Sequence, residues 1–173
     1  MFKRLACLVG VAFAILSGVV TANAVEAWSE YSWQAGGVAI LMPGTPRNVE
    51  QPLPNGAKVY SAAVDLGAVY YSVSYSRIAK SLLQKDAAEH ILDLTQDGAV
   101  SNVKGTLRAK RQFTFGGNHA REIVYDTPDK LTLKQRHYIV DDRLLQVTYV
   151  GPLNSENQPE VTRFFDSMRF VER

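Results

Sequence analysis

The stretch "GGNHAREIVYD", Gly116 to Asp126, sets a histidine, an arginine and a carboxylate just past a double glycine. His119, Arg121 and Glu122 are residue types that a hydrolase or a metal enzyme draws on. Imidazole can bind a metal or move a proton, and a neighbouring carboxylate can orient it. Such chemistry requires that a full set of groups converge. A zinc site takes three or four protein ligands. The chain offers His90, His119, His137 and a single cysteine, Cys7.

Strand geometry limits what can meet. Glu122 stands three residues from His119, so in an extended strand it points to the opposite face. A hairpin that pairs Ile123 with Leu133, Tyr125 with Leu131 and Glu122 with Lys134 sets apolar against apolar and acid against base. A slip by one residue brings Arg121 against Arg136, a like-charge pair. The favoured register therefore places His119 across from His137. Two facing histidines lack a third ligand, and His90 sits on a helix without ligand spacing. The expectation is a turn followed by a strand, with no metal and no cofactor.

Other candidates read as structural. No Gly-x-Ser-x-Gly elbow is present, so a nucleophilic serine has no local signature. Ser167 falls where a helix gives way to a strand, and its hydroxyl can bond local backbone. Asp141-Asp142 suits a tight turn. Lys104, Arg108, Lys110 and Arg111 form the most visible charge feature. Lys104, Arg108 and Lys110 are taken as the contact for a protein partner or an anion, against the plainer role of blunting a strand edge. Tyr60, Tyr70, Tyr71, Tyr75, Tyr125, Tyr138 and Tyr149 could line a ligand surface, but aromatic residues also favour strands and cores.

The N-terminus carries its own message. Lys3 and Arg4 precede an apolar run from Leu5 to Val20, and Ala22-Asn23-Ala24 supplies small residues before a cleavage point. Residues 1–24 read as a secretory signal peptide, and residues 25–173 as one domain. The run is short for a membrane span, and no later run is long enough. Cys7 sits near the start of the apolar run, with most of the run after it, against a lipid anchor, and its removal leaves no cysteine for a disulfide. Lys3 and Arg4 account for the whole excess of 19 basic over 17 acidic residues. The remaining domain is neutral, with no global attraction for nucleic acid.

The elements that would position these residues follow from periodicity. Val38 to Met42 reads as a buried strand stopped by Pro43-Gly44, and residues 47–57, with Pro52 and Pro54, as loop. "KVYSAAVD" and "AVYYSVSYS" read as strands joined at Leu66-Gly67. On the second, Val69, Tyr71, Val73 and Tyr75 share one face, and Ala68, Tyr70, Ser72 and Ser74 the other. Leu83, Ala87, Ile91 and Leu94 give a helical stripe, capped at Ser81 with Gln84 or at Asp86 with Glu89, and stopped at Gly98. In "KGTLRAKRQFTF", Thr106, Arg108, Lys110, Gln112 and Thr114 alternate with Leu107, Ala109, Arg111, Phe113 and Phe115. Strands near 119–126, 131–140 and 143–150 follow as an antiparallel meander. A last helix begins near Gln158, with Pro159 in its first turn. Its stripe is Val161, Phe164, Phe165 and Met168.

"ILMPGTP", "RHYIVDDRLLQV" and "RFFDSMRF" together resemble a group of small exported bacterial proteins of unknown function. More distantly the chain resembles the fold of the photosystem II accessory protein PsbP. Met168 stands where that pattern has an aromatic residue. The resemblance implies an α+β fold, a largely antiparallel sheet of about six to seven strands with two main helices packed on it. It carries over no catalytic residue. The favoured reading is a non-enzymatic exported protein, periplasmic in a Gram-negative bacterium and otherwise secreted. It would bind an envelope protein partner or assist an envelope process. The alternative is a small-molecule or lipid-binding domain with a Tyr-lined surface. An enzyme ranks third, because its site would have to be assembled from residues distant in sequence.

Overall fold

The computed structural model describes residues 27–53, 56–79, 82–83 and 87–172. The signal segment 1–24 and the two helix caps read at Ser81/Gln84 and Asp86/Glu89 lie wholly or partly outside the described residues. The chain forms β1 (Trp28–Trp33), β2 (Val38–Pro43), β3 (Arg47–Pro52), β4 (Lys58–Asp65), β5 (Tyr70–Arg77), α1 (Ala87–Asn102) and β6 (Thr106–Phe115). It continues through β7 (Asn118–Asp126), β8 (Leu131–Val140), β9 (Arg143–Pro152), α2 (Pro159–Asp166) and β10 (Arg169–Phe170). The fold class is α+β, as expected. A seven-stranded antiparallel sheet runs in the order β3-β4-β5-β9-β8-β7-β6, and a three-stranded sheet in the order β1-β2-β10.

The small sheet and α2 cover one face of the large sheet. Pro159 starts α2 after Gln158, and Val161, Phe164 and Phe165 are buried on it. With Met168 they pack among Ile40, Met42, Tyr71, Val73, Val147 and Tyr149. Ser167 locks the corner. Its hydroxyl donates to the Phe164 carbonyl at 2.8 Å and accepts the Leu41 N–H at 2.9 Å. The helix-to-strand corner is thus tied both to its own backbone and to β2.

Three local readings need correction. Residues 47–52 are not loop but β3, paired only with β4. An edge strand has one unpaired side, so Pro52 at its last position is tolerated. In α1 the buried residues are Ile91, Leu92, Thr95, Gln96 and Ala99, while Leu94 is 41% exposed. The helix also passes through Gly98 and ends later. Lys104 adopts φ 51. Its N–H bonds the Ser101 carbonyl at 3.0 Å, and the Gly105 N–H bonds the Val100 carbonyl at 2.8 Å. That bond pair is a Schellman stop with lysine in the left-handed position that glycine normally takes. Lys104→Gly is therefore expected to raise the unfolding free energy by about 0.5–1 kcal/mol. Urea titration checks this, and a loss of stability would count against the assignment.

The third correction is in β6. A bulge between Leu107 and Ala109 breaks the alternation read from the sequence. Leu107 stands opposite Tyr125 and Ala109 opposite Val124, so the two fall on different faces. One extra residue in a strand reverses the side-chain pattern beyond it.

Candidate functional site

The expected hairpin forms, with Gly116 at φ 55 and Gly117 at φ 78 providing the reversal. Positive φ at both central residues is what a two-residue turn of this hand requires. The register of β7 on β8 differs from expectation by two residues. Arg121 lies opposite His137, Glu122 opposite Arg136, and Tyr125 opposite Leu133. A longer turn causes the shift. The Thr127 N–H bonds the Leu131 carbonyl at 2.9 Å, and Thr132 donates to Asp126 at 2.7 Å. Acid still meets base, because Glu122 takes Arg136 Nε at 2.6 Å, with Lys134 at 3.9 Å. A shift of two preserves faces, so Glu122 does point away from His119.

His119 and His137 therefore do not face each other. His119 is exposed, with Nδ1 3.1 Å from Glu89 on α1. His137 is fully buried, and neither ring nitrogen has a hydrogen-bond partner. Burial, and then the charge of Arg121, push its pKa down to about 3, so the ring is neutral. Arg121 is 1% exposed. Its Nη1 donates to Asp93 at 2.5 Å and its Nη2 to Glu89 at 3.1 Å, tying β7 to α1. A general base must reach the proton it takes, and His137 hydrogen-bonds no hydroxyl or carboxylate among the described residues. Among the described residues no three His, Cys, Asp or Glu side chains gather as a metal set.

The basic feature divides. The β6 bulge aims Arg108 at Asp126 (3.1 Å), at Glu156 and at Asn154 (2.9 Å). That guanidinium ties β6 to the segment after β9. Lys104 and Lys110 are exposed, and neither makes an ion pair among the described residues. Arg111 lies over the Phe113 ring at 4.8 Å, with Glu122 at 3.6 Å. Lys110 and Arg111 stand midway along a ten-residue edge strand that is exposed at most positions. The acid pair also serves a turn: Asp141 adopts φ 54, and Asp142 pairs with Arg77 at 2.5 Å.

Most of the tyrosines do not line a surface. Tyr71, Tyr125, Tyr138 and Tyr149 are each 4% exposed or less. Tyr60 stacks on Tyr75 at 5.0 Å. A Tyr–Phe contact instead binds the sheet to α2, between Tyr71 and Phe164 at 5.1 Å, and Tyr71 meets Tyr149 within the sheet at 5.2 Å.

Sequence reasoning missed a different feature. Ser72 and Ser74, read simply as the second face of β5, are both 6% exposed. Gln135, His137, Gln146 and Thr148 lie on the same face of the neighbouring strands and are also buried. A signal was present on β5 and β9, where polar residues alternate with apolar ones, but not on β8, where Lys134 to His137 are all polar.

No family model matches this chain, and no curated protein matches it. Solved structures do. The solution structure of cyanobacterial PsbP from Synechocystis sp. PCC 6803 superposes with a TM-score of 0.61. It covers 89% of this chain and 98% of the other, at 14% identity. The fold is PsbP-like. A crystal structure of the Pseudomonas aeruginosa protein of unknown function PA94 matches at a TM-score of 0.42 and 15% identity, covering 78% of this chain and 90% of that one. At such identity the PsbP likeness is one of fold and transfers no site residue. Within the PsbP-like frame the two edges of the large sheet are β3 and β6. No helix among the described residues is long and apolar enough to cross a membrane.

Proposed function

We propose that the protein is a non-enzymatic exported protein that binds a protein partner along the free edge of β6. The observation that supports this most is a long exposed edge with cations left over. β6 has ten residues with one side unpaired, whereas β3 has six and ends in proline. An extended peptide can add to such an edge through main-chain hydrogen bonds. Lys104 and Lys110 favour an acidic segment. They also disfavour a second copy, because β6 against β6 sets like charges together.

The export half of the proposal rests on the N-terminal sequence. Sequencing the mature protein should give Val25 first. A product retaining Lys3 and Arg4 would contradict it. The partner half is tested with a photo-crosslinking residue placed at Lys110 and, separately, at Val49 on the opposite edge. The expected result is one defined adduct from position 110 in the native compartment, lost in Lys104→Glu/Arg111→Glu. Equal adducts from both positions, or none from 110, would rule the edge out.

A further inference from the structure

The face of the large sheet that carries α1 is apolar at two ends and polar between. At one end Ile78, Ile91, Leu92, Ile139 and Leu144 pack together. At the other, Ala99, Ile123, Tyr125, Leu133 and Val150 do so. Along β8 the same-face order is Leu133, Gln135, His137, Ile139. Along β9 it is Leu144, Gln146, Thr148, Val150, and the register sets Gln146 beside His137 and Ser74. On α1, Gln96 lies between Leu92 and Ala99 on the buried stripe. Polar residues from four elements, β5, β8, β9 and α1, thus occupy one middle layer.

That layer is only partly satisfied: Gln135 accepts from the Tyr125 hydroxyl at 3.2 Å and donates to Thr148 at 3.3 Å. Gln96 Oε1, Gln146 Nε2 and both nitrogens of His137 are buried with no hydrogen-bond partner among the described residues, and so is Ser76 Oγ one row away, opposite Leu144. Each such residue is 7% exposed or less. Buried polar atoms are nearly always paired, and the exceptions call for an explanation such as water or a ligand. Beside the layer a groove opens, lined by Ser61, Tyr70, Ser72, Ser74, Gln135 and Thr148 among others. Its lining holds no charged side chain. Arg121, on the same face of β7, is already paired with Asp93 and Glu89.

We propose that the groove and the polar layer beside it bind a small neutral molecule rich in hydroxyl groups, such as a monosaccharide or polyol. Serine and threonine hydroxyls and glutamine amides both donate and accept, as the ligand's hydroxyls do. The side chains lining the groove offer an ionic ligand no counter-charge. The cavity volume is about 40 Å³, enough for a few water molecules or for one hydroxyl-bearing edge of a sugar ring. The remainder of the ring would stay in the open mouth, against Tyr70. This reading is independent of the β6 edge.

The test is a titration of isotope-labelled full-length protein with glucose, N-acetylglucosamine and glycerol, followed by NMR, with inorganic phosphate as the charged control. At least one neutral probe should give saturable shifts centred on the Gln135 and Gln146 side-chain amides and on Ser74. Ser72→Ala/Ser74→Ala should weaken that binding by about tenfold or more. Phosphate should give no such shift. If none of the three neutral probes saturates, the layer holds water alone and the proposal fails. It also fails if the double variant binds as tightly as the parent, or if phosphate produces the same shifts.

Discussion

Phe164→Ala is expected to cost about 3–5 kcal/mol of stability. Phe164 is fully buried on α2, with its ring 5.1 Å from Tyr71 and 5.2 Å from Phe165. Truncation removes a ring from the layer between the two sheets, where α2 and β2 leave little freedom to collapse. The melting temperature should fall by on the order of 10 °C. Phe165→Ala should cost a similar amount for a partly different reason. Its ring lies beneath Arg136 at 5.1 Å and Lys134 at 5.3 Å, and its carbonyl accepts Arg136 Nη1 at 3.1 Å. Removing the ring also uncovers those cations, whereas the backbone bond survives. Phe164→Leu should recover most of the loss, because it restores apolar volume. Unchanged melting of both alanine variants would show that α2 does not dock as described.

The second large effect is on pH. His137 is buried and neutral, with its pKa lowered from 6.5 to about 3 by burial first and Arg121 second. In the unfolded chain the ring takes a proton below about 6.5. In the folded chain it does so only near pH 3. Between these values the unfolded state holds the extra proton, so stability falls as pH falls. The slope is ~1.4 kcal/mol per pH unit for one proton, and the loss reaches as much as ~4 kcal/mol near pH 3. His137→Gln should show a flatter decline across this window. Asp93 and Glu89, which face Arg121, and the exposed His119 are common to both proteins, so the difference between the two profiles isolates His137. Urea unfolding at pH 7, 5 and 4 measures it. Parallel profiles would show that the ring is not held neutral in the folded state.

The same cost explains why the polar layer under α1 matters. A neutral imidazole with no partner lowers stability at acid pH and gains no hydrogen bond at neutral pH. With Gln146 Nε2 and Gln96 Oε1 also unpaired among the described residues, the layer is a place where water or a ligand adds hydrogen bonds that the chain does not supply.

Much of the fold was legible in the sequence alone. The closing helix was readable because Pro159 and the spacing of Val161, Phe164, Phe165 and Met168 are local signals, set by the period of one helix. The β4 and β5 strands and the Gly116-Gly117 reversal were readable for the same reason. The faces of β7 were right even with the wrong register, because a two-residue shift conserves them. Tertiary structure alone decided the rest. The Thr127–Leu131 turn moved His137 from His119 to Arg121, and a turn's length depends on hydrogen bonds that no pattern count contains. The bulge at Arg108 answers carboxylates brought by distant segments, Asp126 and Glu156. The α1 helix runs through Gly98 to a stop at Lys104 because packing against β7 and β8 outweighs one glycine's propensity. Ser72, Ser74, Gln135, His137 and Gln146 look in sequence like a solvated face. They form a buried polar layer only because three strands align and a helix lies over part of their sheet. Periodicity tells which residues share a face, but only the stacking of elements determines whether that face meets water.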